Sequence, residues 1–80
     1  MVESACVWIV DDDEAIRFVL ERAVKKAGYA VRAFATVGEI SRSLGSDTPD
    51  VIVTDIRLPD ADGLSVLDRL EQLGKDIPVI

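Results

Sequence analysis

Asp50-Val51-Ile52-Val53-Thr54-Asp55-Ile56-Arg57-Leu58-Pro59-Asp60-Ala61-Asp62-Gly63 decides how the rest of the chain is arranged. An apolar, β-branched run of strand length stops at Asp55, and a segment rich in Pro, Asp and Gly then leads into a new helical pattern. Asp55 is therefore expected at the carboxyl end of a buried strand, the edge at which open parallel α/β sheets bind their ligands. A second apolar run, Cys6-Val7-Trp8-Ile9-Val10, also ends in carboxylates: Asp11, Asp12 and Asp13. If the two strands are neighbours, four carboxylates converge on one pocket. Such like charges repel, and a cation is needed to hold them together.

Working outward, the remaining pattern alternates strand with helix. After residues 6–10 the period changes: Ile16, Val19, Leu20, Ala23, Val24 and Ala27 form one helical stripe, opposite Glu14, Arg17, Glu21 and Lys25. Gly28 stops that helix. Tyr29 to Phe34 reads as a strand interrupted by Arg32, which suits a position near an edge. Thr36-Val37-Gly38-Glu39 matches a capping box, opening a short helix that carries Ile40 and Leu44 and ends at Gly45. Residues 51–54 are the third strand. Beyond the Pro59 to Gly63 turn, for which Asp62 is the expected helix cap, Leu64, Leu67, Leu70 and Leu73 recur at helical spacing up to Gly74. Ile77-Pro78-Val79-Ile80 begins a fourth strand. This alternation predicts an α/β fold, a doubly wound parallel sheet with right-handed crossovers and helices on both faces.

Composition narrows the functions open to such a domain. The 80 residues are 49% hydrophobic and 30% charged, as in ordinary globular proteins, with a net charge of −6. That charge disfavours direct binding of nucleic acid or an anionic membrane surface by this chain. No run approaches membrane-spanning length and the N-terminus lacks a signal-peptide pattern, so a cytoplasmic protein is expected. The lone Cys6 allows no internal disulfide and reads as a buried structural thiol. With no His in the chain, Ser-His catalysis and His-ligated zinc are excluded here.

Val10-Asp11-Asp12-Asp13, then Thr54-Asp55-Ile56-Arg57-Leu58-Pro59, then Asp62-Gly63 resemble the receiver domain of two-component response regulators. Val7 to Asp13, with Ile16-Arg17 and Val19-Leu20-Glu21-Arg22-Ala23, looks closest to the NtrC-type nitrogen-regulation subgroup. The resemblance runs over all 80 residues and implies a flavodoxin-like sheet of strand order 2-1-3-4-5, with the phosphorylation site where strands 1 and 3 lie side by side. It implies that Asp55 is the phosphoacceptor for a sensor histidine kinase. It also implies a Mg²⁺ site: Asp12 and Asp55 as ligands, Asp11 acting through metal-bound water, and the main-chain carbonyl of Arg57 completing the set. The chemistry of the residues agrees. A carboxylate can attack phosphorus, and Mg²⁺ favours a few carboxylates with water and phosphate oxygens. Asp11 and Asp12 are the preferred pair, since Asp13 can begin the helix; Asp12 and Asp13 are the alternative register. Trp8, on the first strand, is expected near the pocket.

The resemblance further implies that residues 1–80 are a partial receiver domain. The family's Ser or Thr after strand 4, its Lys after strand 5 and its output face do not occur in this sequence, so a truncated, self-associating chain is expected. The complete protein would be a sigma-54-dependent transcriptional activator, with ATPase and DNA-binding domains downstream, rather than an enzyme acting on a separate substrate. Two rivals are weighed. Asp60-Ala61-Asp62-Gly63 resembles the nucleophile motif of haloacid-dehalogenase-type phosphatases, but Ile56 to Pro59 intervenes where that motif needs a strand. A phosphate-independent interaction module would be distinguished by loss of Mg²⁺ binding.

Overall fold

A computed structural model of the chain describes residues 5–54 and 65–80. Its elements follow in the order β1 (Cys6–Val10), α1 (Glu14–Lys26), β2 (Ala30–Phe34), α2 (Val37–Leu44), β3 (Val51–Thr54) and α3 (Ser65–Leu73). The strands form a parallel sheet in the order β2-β1-β3, so the strand richest in large apolar residues takes the centre and the Arg32-bearing strand takes an edge. The fourth strand is present only as a start. Val79 bridges Ile52 in parallel, and Ile80 N–H donates to the Ile52 carbonyl at 2.8 Å, on the side of β3 away from β1.

Strand alternation sends even-numbered side chains to one face and odd-numbered ones to the other. Trp8, Val10, Phe34 and Ile52 pack with Ile40 and Leu44 of α2 and Val66 and Leu70 of α3 into the main core. Val7 and Ile9 lie on the opposite face, where α1 crosses. The helices therefore cover both faces, as alternation predicts.

Local chemistry sets the boundaries. Asp13, in extended conformation, accepts from the N–H groups of Ala15 and Ile16, capping α1. Gly28, at φ 96°, supplies the left-handed turn that ends the same helix; an L side chain there would be strained. The capping box of α2 forms with one adjustment: Thr36 Oγ1 accepts from Glu39 N–H, while the Glu39 carboxylate reaches the N–H of Ala35.

Three expectations are corrected by packing. Helix α3 buries Val66 and Leu70, while Leu67 is 45% exposed; the true stripe follows the 3.6-residue period rather than a spacing of three. Helix α1 buries none of its residues fully: Leu20 and Val24 of the expected stripe are half-buried, Ile16 and Val19 are largely exposed, and Arg17 and Glu21, assigned by period to the polar face, are half-buried as well. Cys6 is half-buried against the core rather than enclosed by it. Leu64, Asp62 and the Pro59 to Gly63 turn lie outside the described residues.

Candidate phosphoacceptor and metal site

At the carboxyl edge of the sheet β1 and β3 end side by side, with Val10 paired to Thr54. Asp11 follows Val10 and Asp55 follows Thr54 in the sequence. Asp55 and Arg57 themselves lie outside the described residues. Among the described residues, Asp11 and Asp12 are the members of the predicted site.

Asp11 is buried, only 7% exposed, and its N–H, its carbonyl oxygen and one carboxylate oxygen each have a partner. Its N–H extends the sheet by donating to the Phe34 carbonyl at 3.0 Å. Its Oδ1 accepts from Asp13 N–H at 2.9 Å, and its carbonyl oxygen accepts from Arg17 Nη1 at 2.8 Å. A buried carboxylate needs such partners or a cation, because isolated charge in a low-dielectric setting is costly. Asp12, next in the chain, is exposed at the rim. Asp13 has its Oδ1 committed to two backbone donors of α1. The three consecutive Asp residues thus have three different local environments, and the one whose carboxylate caps the helix is Asp13.

The donor set suits a hard cation. Carboxylate oxygens, one sheltered and one facing solvent, match the oxygen-rich, water-retaining coordination of Mg²⁺; no soft or nitrogen donor stands among the described residues of this corner. Among the described residues no group of three or more acidic or Cys side chains is assembled.

Trp8 does not line this corner. Its indole is fully buried under α2 and α3, with its ring centre 5.2 Å from that of Phe34. The side chain of an even-numbered residue on β1 projects into the core face, which carries it away from the strand end. Arg17 is the residue that the sequence pattern does not single out. Its backbone sits on a helix face, while its guanidinium reaches back six residues, a contact with no periodic signature.

Comparison with known proteins agrees with this fold. The chain matches the response regulator receiver domain family over residues 7–80. It belongs to that family. It is 47% identical over 79 residues to the DNA-binding transcriptional regulator NtrC of Proteus hauseri and 44% identical to that of Escherichia coli strain K12, in each case over 99% of this chain and 17% of the relative. The chain therefore spans about a sixth of the length of these curated relatives. The solution structure of the beryllofluoride-activated NtrC receiver domain superimposes with a TM-score of 0.83 at 44% identity, covering 98% of this chain and 63% of that one. The beryllofluoride-activated NtrC4 receiver domain dimer gives 0.85 at 31% identity, over 94% and 62%. The chain is thus receiver sequence of NtrC type, a phosphoacceptor module of two-component signalling.

Proposed function

We propose that this chain accepts a phosphoryl group from a sensor histidine kinase onto Asp55, with Mg²⁺ held by Asp11, Asp12, Asp55 and the main-chain carbonyl of Arg57. The observation that carries the reading is the Val10–Thr54 pairing, which ends two carboxylate-terminated strands at one edge. An Asp55 carboxylate oxygen attacks phosphorus; the phosphorus–nitrogen bond of the donor phosphohistidine breaks as the new phosphorus–oxygen bond forms, and the imidazole leaves. The donor His lies outside these 80 residues, which contain none. Bound Mg²⁺ supplies the positive charge that offsets repulsion between the phosphoryl oxygens and the acidic corner. The residues of the chain do the rest. Asp11 shelters one oxygen donor at the strand end, Asp12 offers another at the rim, and Asp13 is left to hold the helix start.

In the complete protein the phosphorylated state would control a transcriptional activator of the NtrC kind through downstream ATPase and DNA-binding domains. The chain then works as a modified substrate of its kinase rather than as an enzyme. A cytoplasmic setting fits this role, and no helix among the described residues is long and apolar enough to cross a membrane. DNA contact would belong to another domain, in keeping with the net charge of −6.

The test is labelling by a phosphohistidine kinase or a small acyl phosphate in Mg²⁺. Asp55→Asn abolishes incorporation, and Asp12→Ala reduces it far more than Asp60→Ala. Unchanged labelling of Asp55→Asn would sink the assignment, and equal loss in Asp60→Ala would move the metal to another loop.

A further inference from the structure

The carbonyl of Asp11 lies just past the last rung of the sheet, where among the described residues no neighbouring strand supplies a donor, and a backbone carbonyl at such a place needs a partner. Arg17 provides it, Nη1 to oxygen at 2.8 Å, from a half-buried side chain in the first turns of α1. Its backbone N–H also donates to the carbonyl of Asp13 at 2.9 Å, so one residue grips both ends of the Asp11–Asp13 segment.

Arg17 stands among carboxylates, with Asp12, Asp13, Glu14 and Glu21 close in sequence or one helical turn away. Yet the ion pair found among the described residues is Arg32 with Asp47, and Arg17 forms none. Its charge is directed at a main-chain oxygen. A guanidinium used this way fixes the peptide that links Asp11 to Asp12 while leaving both carboxylates available, because its donors do not occupy a carboxylate oxygen.

We infer that Arg17 is a positioning residue for the cation site: by holding the Asp11 carbonyl it sets the direction in which the Asp11 and Asp12 carboxylates meet the metal. This rests on the reading that Asp11 and Asp12 bind Mg²⁺. The alternative effect of a nearby positive charge is opposite in sign. If Arg17 acted only through its charge it would repel the metal, and removing it would tighten binding.

Titration of the full chain with Mg²⁺, followed by the amide resonances of residues 11–13, separates these cases. Arg17→Met keeps the aliphatic stem and its packing but removes charge and donors; it is expected to weaken Mg²⁺ binding about tenfold, the lower end of what loss of an outer-shell partner costs. Arg17→Lys, with its charge and a flexible ammonium in place of the planar fork, recovers part of that loss. Amides of Ile40 and Leu44 report that each variant is folded. Unchanged or tighter binding in folded Arg17→Met overturns the inference. Should that variant fail to fold, rotation of the Arg17 guanidinium in the wild-type chain decides: restricted rotation, retained on adding Mg²⁺, supports the clamp, and free rotation overturns it. A wild-type chain that binds no Mg²⁺ at these amides overturns the metal reading itself, whereas normal wild-type binding with normal Arg17→Met binding overturns Arg17 alone.

Discussion

The guanidinium of Arg32 lies over the indole of Trp8, 5.0 Å from the ring centre, and equally over the ring of Phe34 at 5.1 Å. An edge-strand Arg thereby closes the side of the core, its guanidinium lying over the apolar rings while its nitrogens reach Asp47 and Ser43 near solvent. Arg32→Ala is expected to destabilise the chain by about 1 kcal/mol, the scale of an exposed cation–π contact with its packing. Trp8 emission should shift in the same variant. Urea unfolding and fluorescence check both. Trp8 fluorescence that answers Mg²⁺ but not Arg32→Ala would contradict its placement away from the acidic corner.

Asp13→Ala separates a structural Asp from its functional neighbours. It removes the cap of α1 and is expected to cost about 1 kcal/mol of stability. Phosphoryl labelling of the folded variant should stay near wild type. If Asp13→Ala lost labelling as completely as Asp12→Ala, the working pair would be Asp12 and Asp13.

Lys75 ties the segment after α3 to the end of α2. Its Nζ donates to the carbonyl of Leu44 at 2.5 Å and to that of Asp47 at 2.8 Å, satisfying acceptors at a helix C-terminus where positive charge is favoured. Lys75→Met is expected to destabilise by about 1.5 to 3 kcal/mol, the range for hydrogen bonds to a charged group. Denaturant unfolding measures this, and faster amide exchange at Asp47 should accompany it.

On the opposite face, α1 and the sheet leave an apolar groove of about 480 Å³ lined by Val7, Ala23, Val24, Ala27, Val51 and Val53. Phe18 and Val19 stand exposed on the same helix, at 56% and 63%. The 80-residue chain by itself is therefore expected to self-associate at micromolar concentration, and Val24→Glu, which places a charge in the groove, to shift it strongly towards monomer. Sedimentation velocity tests this. A monodisperse wild-type monomer would show that the face is tolerated in water.

Much of this arrangement is legible in the residues alone. The central strand, the edge position of Ala30–Phe34 and the Thr36 cap each follow from a local signal: an unbroken apolar run, an interrupting Arg, a hydroxyl three residues before Glu39. The buried side of α3 is not legible in the same way, because Leu67 and Val66 are both apolar and only packing against α2 chooses between them. Period alone assigns Arg17 to solvent. A long side chain can leave the direction its Cα suggests, and the acceptor that draws it inward is a backbone oxygen that no sequence pattern marks.

The sheet order also dictates a sequence of assembly. β1 pairs on one side with Ala30 onward and on the other with Val51 onward, so its partners lie 24 residues downstream on one side, Cys6 to Ala30, and 44 on the other, Val7 to Val51. Closing the longer loop costs about 0.5 kcal/mol more in chain entropy, and on the ribosome its strand also emerges later. The unit β1-α1-β2 can thus gather first, with Asp11 N–H already bonded to Phe34, while the other flank of β1 waits for β3. On this order the Asp11–Asp13 segment can take shape with the first crossover, which is complete at Phe34, some twenty residues before β3 ends at Thr54.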